Sequence, residues 1–146
     1  MQKTRKYTHA ESKMVLEWVQ KYHSHALQWR RVRVGPLPKT ENSSFFSVLR
    51  RWADLVFVED DIVYIVEAKV RPDPGALSQL KLYERLFPQT PEFSQLSNKQ
   101  IKLVFLTSME DKEVKKLAAE LGIEYEVYRP AWLDAYIKEV IKKTTA

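Results

Sequence analysis

The chain has 146 residues, 45% of them hydrophobic, which is enough for one packed core and short of what two need. Its longest apolar run, Ile62-Val63-Tyr64-Ile65-Val66, excludes a membrane-spanning helix, which takes about 20 such residues. Zero cysteines exclude a disulfide framework, a cysteine nucleophile, a thiolate zinc site and a cysteine-held iron–sulfur cluster; the three His are not spaced as ligands, so any metal must be held by carboxylates. The net charge of +5 comes from residues 27–51, where Arg30, Arg31, Arg33, Lys39, Arg50 and Arg51 stand against Glu41 alone. Such a concentration fits an acidic, extended partner such as nucleic acid, surface solubility being the alternative. The basic start, Met1 to Lys6, runs into an amphipathic pattern without a signal-like apolar stretch, and the expected location is the cytoplasm.

The first periodic segment, about Thr8 to His23, repeats Met14, Val15, Trp18, Val19 and Tyr22 at helical spacing. A strand follows over Leu27, Trp29, Val32 and Val34, interleaved with arginines and stopped by Gly35-Pro36-Leu37-Pro38. Residues 39–44 read as a polar loop, and 45–49 as a short strand or a turn of helix. Trp52–Val58 and Ile62–Val70 form a hairpin around Glu59-Asp60-Asp61. Leu77, Leu80, Tyr83, Leu86 and Phe87 mark a helix ended by Pro88, and residues 89–100 read as a surface loop. Then come a strand from Ile101 to Thr107, a helix opened by a Ser108/Asp111 capping arrangement and closed at Gly122, a strand from Ile123 to Tyr128, and a last helix after Pro130. The order predicts one α/β domain over residues 1–146, a mixed sheet flanked by helices.

The hairpin concentrates the chemistry. If Asp60 and Asp61 make a two-residue turn, Glu59 opposes Ile62 and, counting back, Asp54 opposes Glu67. Opposed residues share a sheet face with Cβ atoms ~5 Å apart, so two carboxylates there repel unless a proton or cation lies between them. Lys69 falls on the Glu67 face because side chains alternate along a strand. The alternative is that these are solvated strand-end charges; the apolar runs Leu55–Val58 and Ile62–Val66 argue instead for covered strands, where an ionised group needs compensation. On the first helix, with Met14 at 0°, Glu11 falls at roughly 60°, within the apolar stripe, and Glu17 at roughly 300°, outside it. Glu11 is thus a candidate third acidic group, with a helix-dipole role in the first turn as its alternative.

Asp54 followed by Glu67-Ala68-Lys69 on the next strand resembles the PD-(D/E)XK nuclease superfamily, with its α-β-β-β-α-β core and restriction-endonuclease-like fold. Ala53 stands where that pattern has Pro. Glu11 corresponds to the first-helix glutamate prominent in archaeal Holliday-junction resolvases, and Gln79-x-x-x-Tyr83 resembles the RecB-like exonuclease branch; Tyr83 also suits the core. The pattern covers about residues 8–107.

The resemblance implies that Asp54, Glu67 and the Ala68 carbonyl coordinate Mg²⁺ or Mn²⁺, Glu11 completing the shell directly or through water. Lys69 would orient the attacking water or stabilise developing charge, and Gln79 would position Lys69, the nucleophile or the substrate. The basic residues 30, 31, 33, 39, 50 and 51 would engage phosphates, and Trp29 or Trp52 would either stack on a base or pack in the core. The implied activity is hydrolysis of DNA phosphodiester bonds; endonuclease, exonuclease and junction resolvase are not separated, nor DNA from RNA, and pairing as a homodimer is a further expectation. The rival readings are a nuclease-like binding module without efficient cleavage and a structural protein with a solubilising basic segment.

Overall fold

The alternating apolar runs build a sheet, and the computed structural model, which describes residues 7–37 and 50–145 (side chains through residue 143), arranges five strands in the order β1-β2-β3-β4-β5. They are β1 (Leu27–Val34), β2 (Arg51–Glu59), β3 (Ile62–Lys69), β4 (Gln100–Thr107) and β5 (Ile123–Val127). The first three pair antiparallel and the last three parallel. Helix α1 (Thr8–Tyr22) covers one face, where Val15, Trp18 and Val19 meet Leu55, Phe57, Val66 and Val104. Helices α2 (Pro74–Leu86) and α3 (Lys112–Glu120) cover the other through Leu77, Leu80, Tyr83, Val114 and Ala118. The closing helix α4 (Leu133–Thr145) packs Leu133 beside Met14 and Val70. The α/β reading and the α-β-β-β-α-β core therefore stand. Lys39 and the segment 45–49 lie outside the described residues.

The hairpin has the two-residue turn its sequence calls for: Glu59 pairs with Ile62, and Asp60 and Asp61 both adopt positive φ, 53° and 65°, as a type I′ turn demands. Asp tolerates that region better than most residues, and Lys99 Nζ meets Asp61 Oδ1 at 2.7 Å. Asp73 caps α2 by accepting from the Gly75 amide, and Pro74 occupies the first turn, where no amide is needed.

Several sequence expectations change. Residues 89–100 are not a plain surface loop: two 3-10 turns, Phe87–Gln89 and Pro91–Leu96, bury Phe87, Thr90 and Phe93, with the two Phe rings stacked at 5.1 Å. Thr90 Oγ1 accepts from the Gly35 amide and donates to Leu86 O, which ties the end of β1 to this segment. Ser108 does not cap α3; Asp111 does so alone, accepting from the Glu113 and Val114 amides, while Ser108 Oγ donates to Val70 O. Tyr22, placed on the buried stripe by periodicity, sits at the end of α1 and is 55% exposed. Glu17 faces the C-terminal layer instead of solvent, accepting from Tyr128 Oη and Trp132 Nε1.

Candidate active site

The two antiparallel strands carrying the acidic residue and the arginines are irregular at one matched position. Pairing runs from Leu27↔Val58 to Arg30↔Leu55 and resumes at Val32↔Ala53, skipping Arg31 and Asp54. Arg31 has a φ of 53°, uncommon for a residue without a short polar side chain. Trp29 and Val32 pack on the same cluster although three apart, as do Val56 and Ala53, so the two-residue alternation slips in both strands at this point. The slip brings Arg30 and Arg31, which a regular strand would send to opposite faces, onto one pocket with Asp54, Ser12 and Val15.

Beyond Leu55↔Val66 the paired β2–β3 register gives way to a side-chain bond: the Ala68 amide donates to Asp54 Oδ2 at 2.8 Å. Asp54 is thereby anchored to the strand of Glu67 and Lys69, near enough to Glu67 for each carboxyl group to act on the other, although the two are not a register pair. Glu67 is 6% exposed, and its Oε1 is buried without a hydrogen-bond partner. Burial and then the Asp54 charge push its pKa up to about 9, against relief from Lys69. Burial likewise raises Asp54, opposed by the Ala68 amide, Lys69 and Arg31. The pair thus holds at least one proton near neutrality when no cation is bound.

Glu11 is half-buried on the inward side of α1, and its Oε2 accepts from the Val70 amide at 2.9 Å. Burial lifts its pKa to about 7, while the Val70 bond and Lys69 pull it down. The half-buried Lys69 acts electrostatically on all three carboxyl groups. Tyr83 is buried on α2 with its hydroxyl donating to Trp52 O at 2.7 Å. Its single proton is committed there, so toward Glu67 it serves only as an acceptor, which suits a protonated Glu67. Gln79 is exposed and makes no hydrogen bond to the carboxylates or to Lys69.

A resident cation is the group the sequence resemblance implies, and the donors present are the hard oxygens that Mg²⁺ and Mn²⁺ prefer, including an unpaired buried carboxylate oxygen on Glu67. Among the described residues no three His, Cys, Asp or Glu side chains form a group that could hold a metal ion by themselves.

Of the basic residues, Arg30 and Arg31 are exposed at the pocket, Arg33 is half-buried, and Arg51 is exposed with Nη1 near Arg50 O. Arg50 departs from its expected role. It is 8% exposed, and its guanidinium grips both Glu92 oxygens at 3.1 and 2.7 Å and Arg33 O, which makes it an internal clamp unsuited to phosphate. Nothing local in the sequence marks Glu92 as its partner, 42 residues away.

No family model and no curated protein matches the sequence. Solved structures do match in shape. A protein of unknown function, AF1548, aligns with a TM-score of 0.53 at 14% identity over 88% of this chain and 64% of its own. A repair endonuclease from Pyrococcus abyssi aligns at 0.49 and 15% identity over 81% of this chain, and EndoMS in complex with double-stranded DNA at 0.48 and 12% over 82%. The element order and the mixed five-stranded sheet of the chain itself are those expected of a restriction-endonuclease-like fold. This chain spans 46% of the Pyrococcus enzyme chain and 45% of the EndoMS chain. No helix among the described residues is long and apolar enough to cross a membrane.

Proposed function

We propose that the chain is a metal-dependent nuclease hydrolysing phosphodiester bonds of DNA. The observation that carries this reading is the buried Glu67, one oxygen of which has no partner, with the half-buried Asp54 and Lys69 beside it. Asp54 keeps a hydrogen bond from the Ala68 amide, whereas Glu67 is buried with an unpaired oxygen, a placement that costs roughly several kcal/mol and that a bound ligand would offset. Asp54, Glu67 and the Ala68 carbonyl would hold Mg²⁺ or Mn²⁺, with Glu11 joining through water because its Oε2 already serves Val70. Bound there, the ion would supply Lewis-acid polarisation of a phosphate oxygen and a more acidic water. Lys69 offers its ammonium to the charge that develops on the phosphate, Arg30 and Arg31 meet neighbouring phosphates, and the exposed Gln79 is left to contact substrate.

The test is incubation with linear, circular, single-stranded and branched DNA, and with RNA, with and without Mg²⁺ or Mn²⁺. Metal-dependent products that vanish in Asp54→Ala and Glu67→Ala support the reading, and product lengths separate endonuclease, exonuclease and resolvase. The second reading, a nuclease-fold binding module, is favoured by the lack of a third caging side chain among the described residues. Tight metal-independent DNA binding without nicking would establish it.

A further inference from the structure

Of the four tryptophans, Trp18 is buried, Trp29 and Trp132 are half-buried, and Trp52 is 51% exposed. A single exposed apolar side chain needs no explanation; this one has three further properties. Its cross-strand partner Arg33 sets a guanidinium carbon 5.3 Å from the indole centroid, and Arg31 sets another at 5.5 Å. It stands two residues before Asp54 on β2, about 7 Å along the strand from the carboxyl pair. Its backbone is fixed by the Tyr83 hydroxyl, so the platform is held rigidly to the same helix that backs Glu67.

The geometry points to Trp52 as a base-stacking platform that gives the site a preference for unpaired nucleotides. This inference rests on the nucleic-acid reading above. An indole face accepts any base, but only one freed from its own stack, so a duplex cannot use it unless a nucleotide is frayed, flapped or extruded beside the cleaved phosphate. Arg31 and Arg33 hold their guanidinium groups over the ring, cation–π partners that an incoming base would displace toward its flanking phosphates. The substrate class is single-stranded DNA, or duplex with an unpaired nucleotide at the cleavage point.

The test is metal-free binding, in EDTA, of an oligothymidylate and of a blunt duplex of equal length, followed by fluorescence anisotropy across a salt series. Trp52→Leu should weaken single-strand binding about tenfold or more and duplex binding less than about twofold, with the salt slope unchanged because no charge is removed. Trp52→Phe, which keeps an aromatic face, should retain most single-strand affinity. Equal affinity of Trp52→Leu and wild type for the oligothymidylate, an equal loss on both ligands, or no single-strand binding by wild type overturns the inference. The nuclease reading fails by a different measurement, undiminished hydrolysis in Asp54→Ala or Glu67→Ala, so the two failures are distinguishable.

Discussion

Glu11 Oε2 accepts the Val70 amide at 2.9 Å, fastening α1 to the end of the strand that carries Glu67 and Lys69. The carboxyl group therefore does two things, closing a backbone hydrogen bond and adding negative charge to an already acidic site. Glu11→Gln keeps an acceptor and removes the charge, so its melting temperature in metal-free buffer should equal or exceed that of wild type above pH 7. Glu11→Ala strands the Val70 amide and should cost about 1–3 kcal/mol in denaturant unfolding. Equal stability of the two variants would show that the bond contributes nothing.

The carboxyl pair predicts a pH dependence of stability. Glu67 has a folded pKa of about 9 and Glu11 of about 7, both above the ordinary 4.5, so the folded chain binds more protons than the unfolded one between those limits. Their contribution to stability is complete below about pH 4.5 and is lost as pH rises, through about 7 for Glu11 and about 9 for Glu67. Glu67→Gln should flatten the metal-free decline between pH 7 and 9. Calorimetry should also show Mg²⁺ or Mn²⁺ affinity rising across the same interval, since the ion displaces a proton. A decline of unchanged steepness in Glu67→Gln would assign it elsewhere.

Lys69 is tested by Lys69→Met, which keeps the apolar stem and deletes the ammonium. Folding and metal binding should survive, substrate affinity should change little, and single-turnover hydrolysis should slow by about 10²-fold or more. Wild-type turnover in this variant would remove Lys69 from the chemistry.

The arginines divide into two classes with separable readouts. Replacing Arg30, Arg31 and Arg33 with Gln should weaken DNA binding and flatten its salt dependence, because fewer counterions are released. Arg50→Ala should instead lower stability by about 2 kcal/mol, a modest figure because Glu92 is half-exposed, and leave the salt slope intact. A flattened slope in Arg50→Ala would return that residue to the phosphate path.

What sequence made legible was what local chemistry dictates. The Asp60-Asp61 turn fixes the hairpin register from Glu59↔Ile62 to Leu55↔Val66, which ends next to Asp54 and Glu67, and helical spacing turns Glu11 inward, all within one or two elements. What it hid was set by distant partners. Alternation predicts opposite faces for Arg30 and Arg31, and no neighbouring residue announces the slip at Arg31 and Asp54 that puts them together. Helical spacing puts Glu17 outside the apolar stripe, and nothing nearby announces its partners Tyr128 and Trp132, more than 100 residues away. The polar composition of residues 89–100 concealed one aromatic, Phe93, that finds Phe87 and Trp29 and folds the segment inward.

The same separations order the assembly of the molecule in time. Asp54 and Ala68 are 14 residues apart, Glu11 and Val70 are 59, and Glu17 and Trp132 are 115. Loop-closure entropy grows with the logarithm of that distance, which places the longest of these contacts about 2 kcal/mol behind the shortest before any side chain is counted. Loop closure alone therefore favours the Asp54–Ala68 contact of the hairpin as the first of these to form. A divalent cation held by the hairpin as proposed would then act on the rate of folding as well as on the final stability.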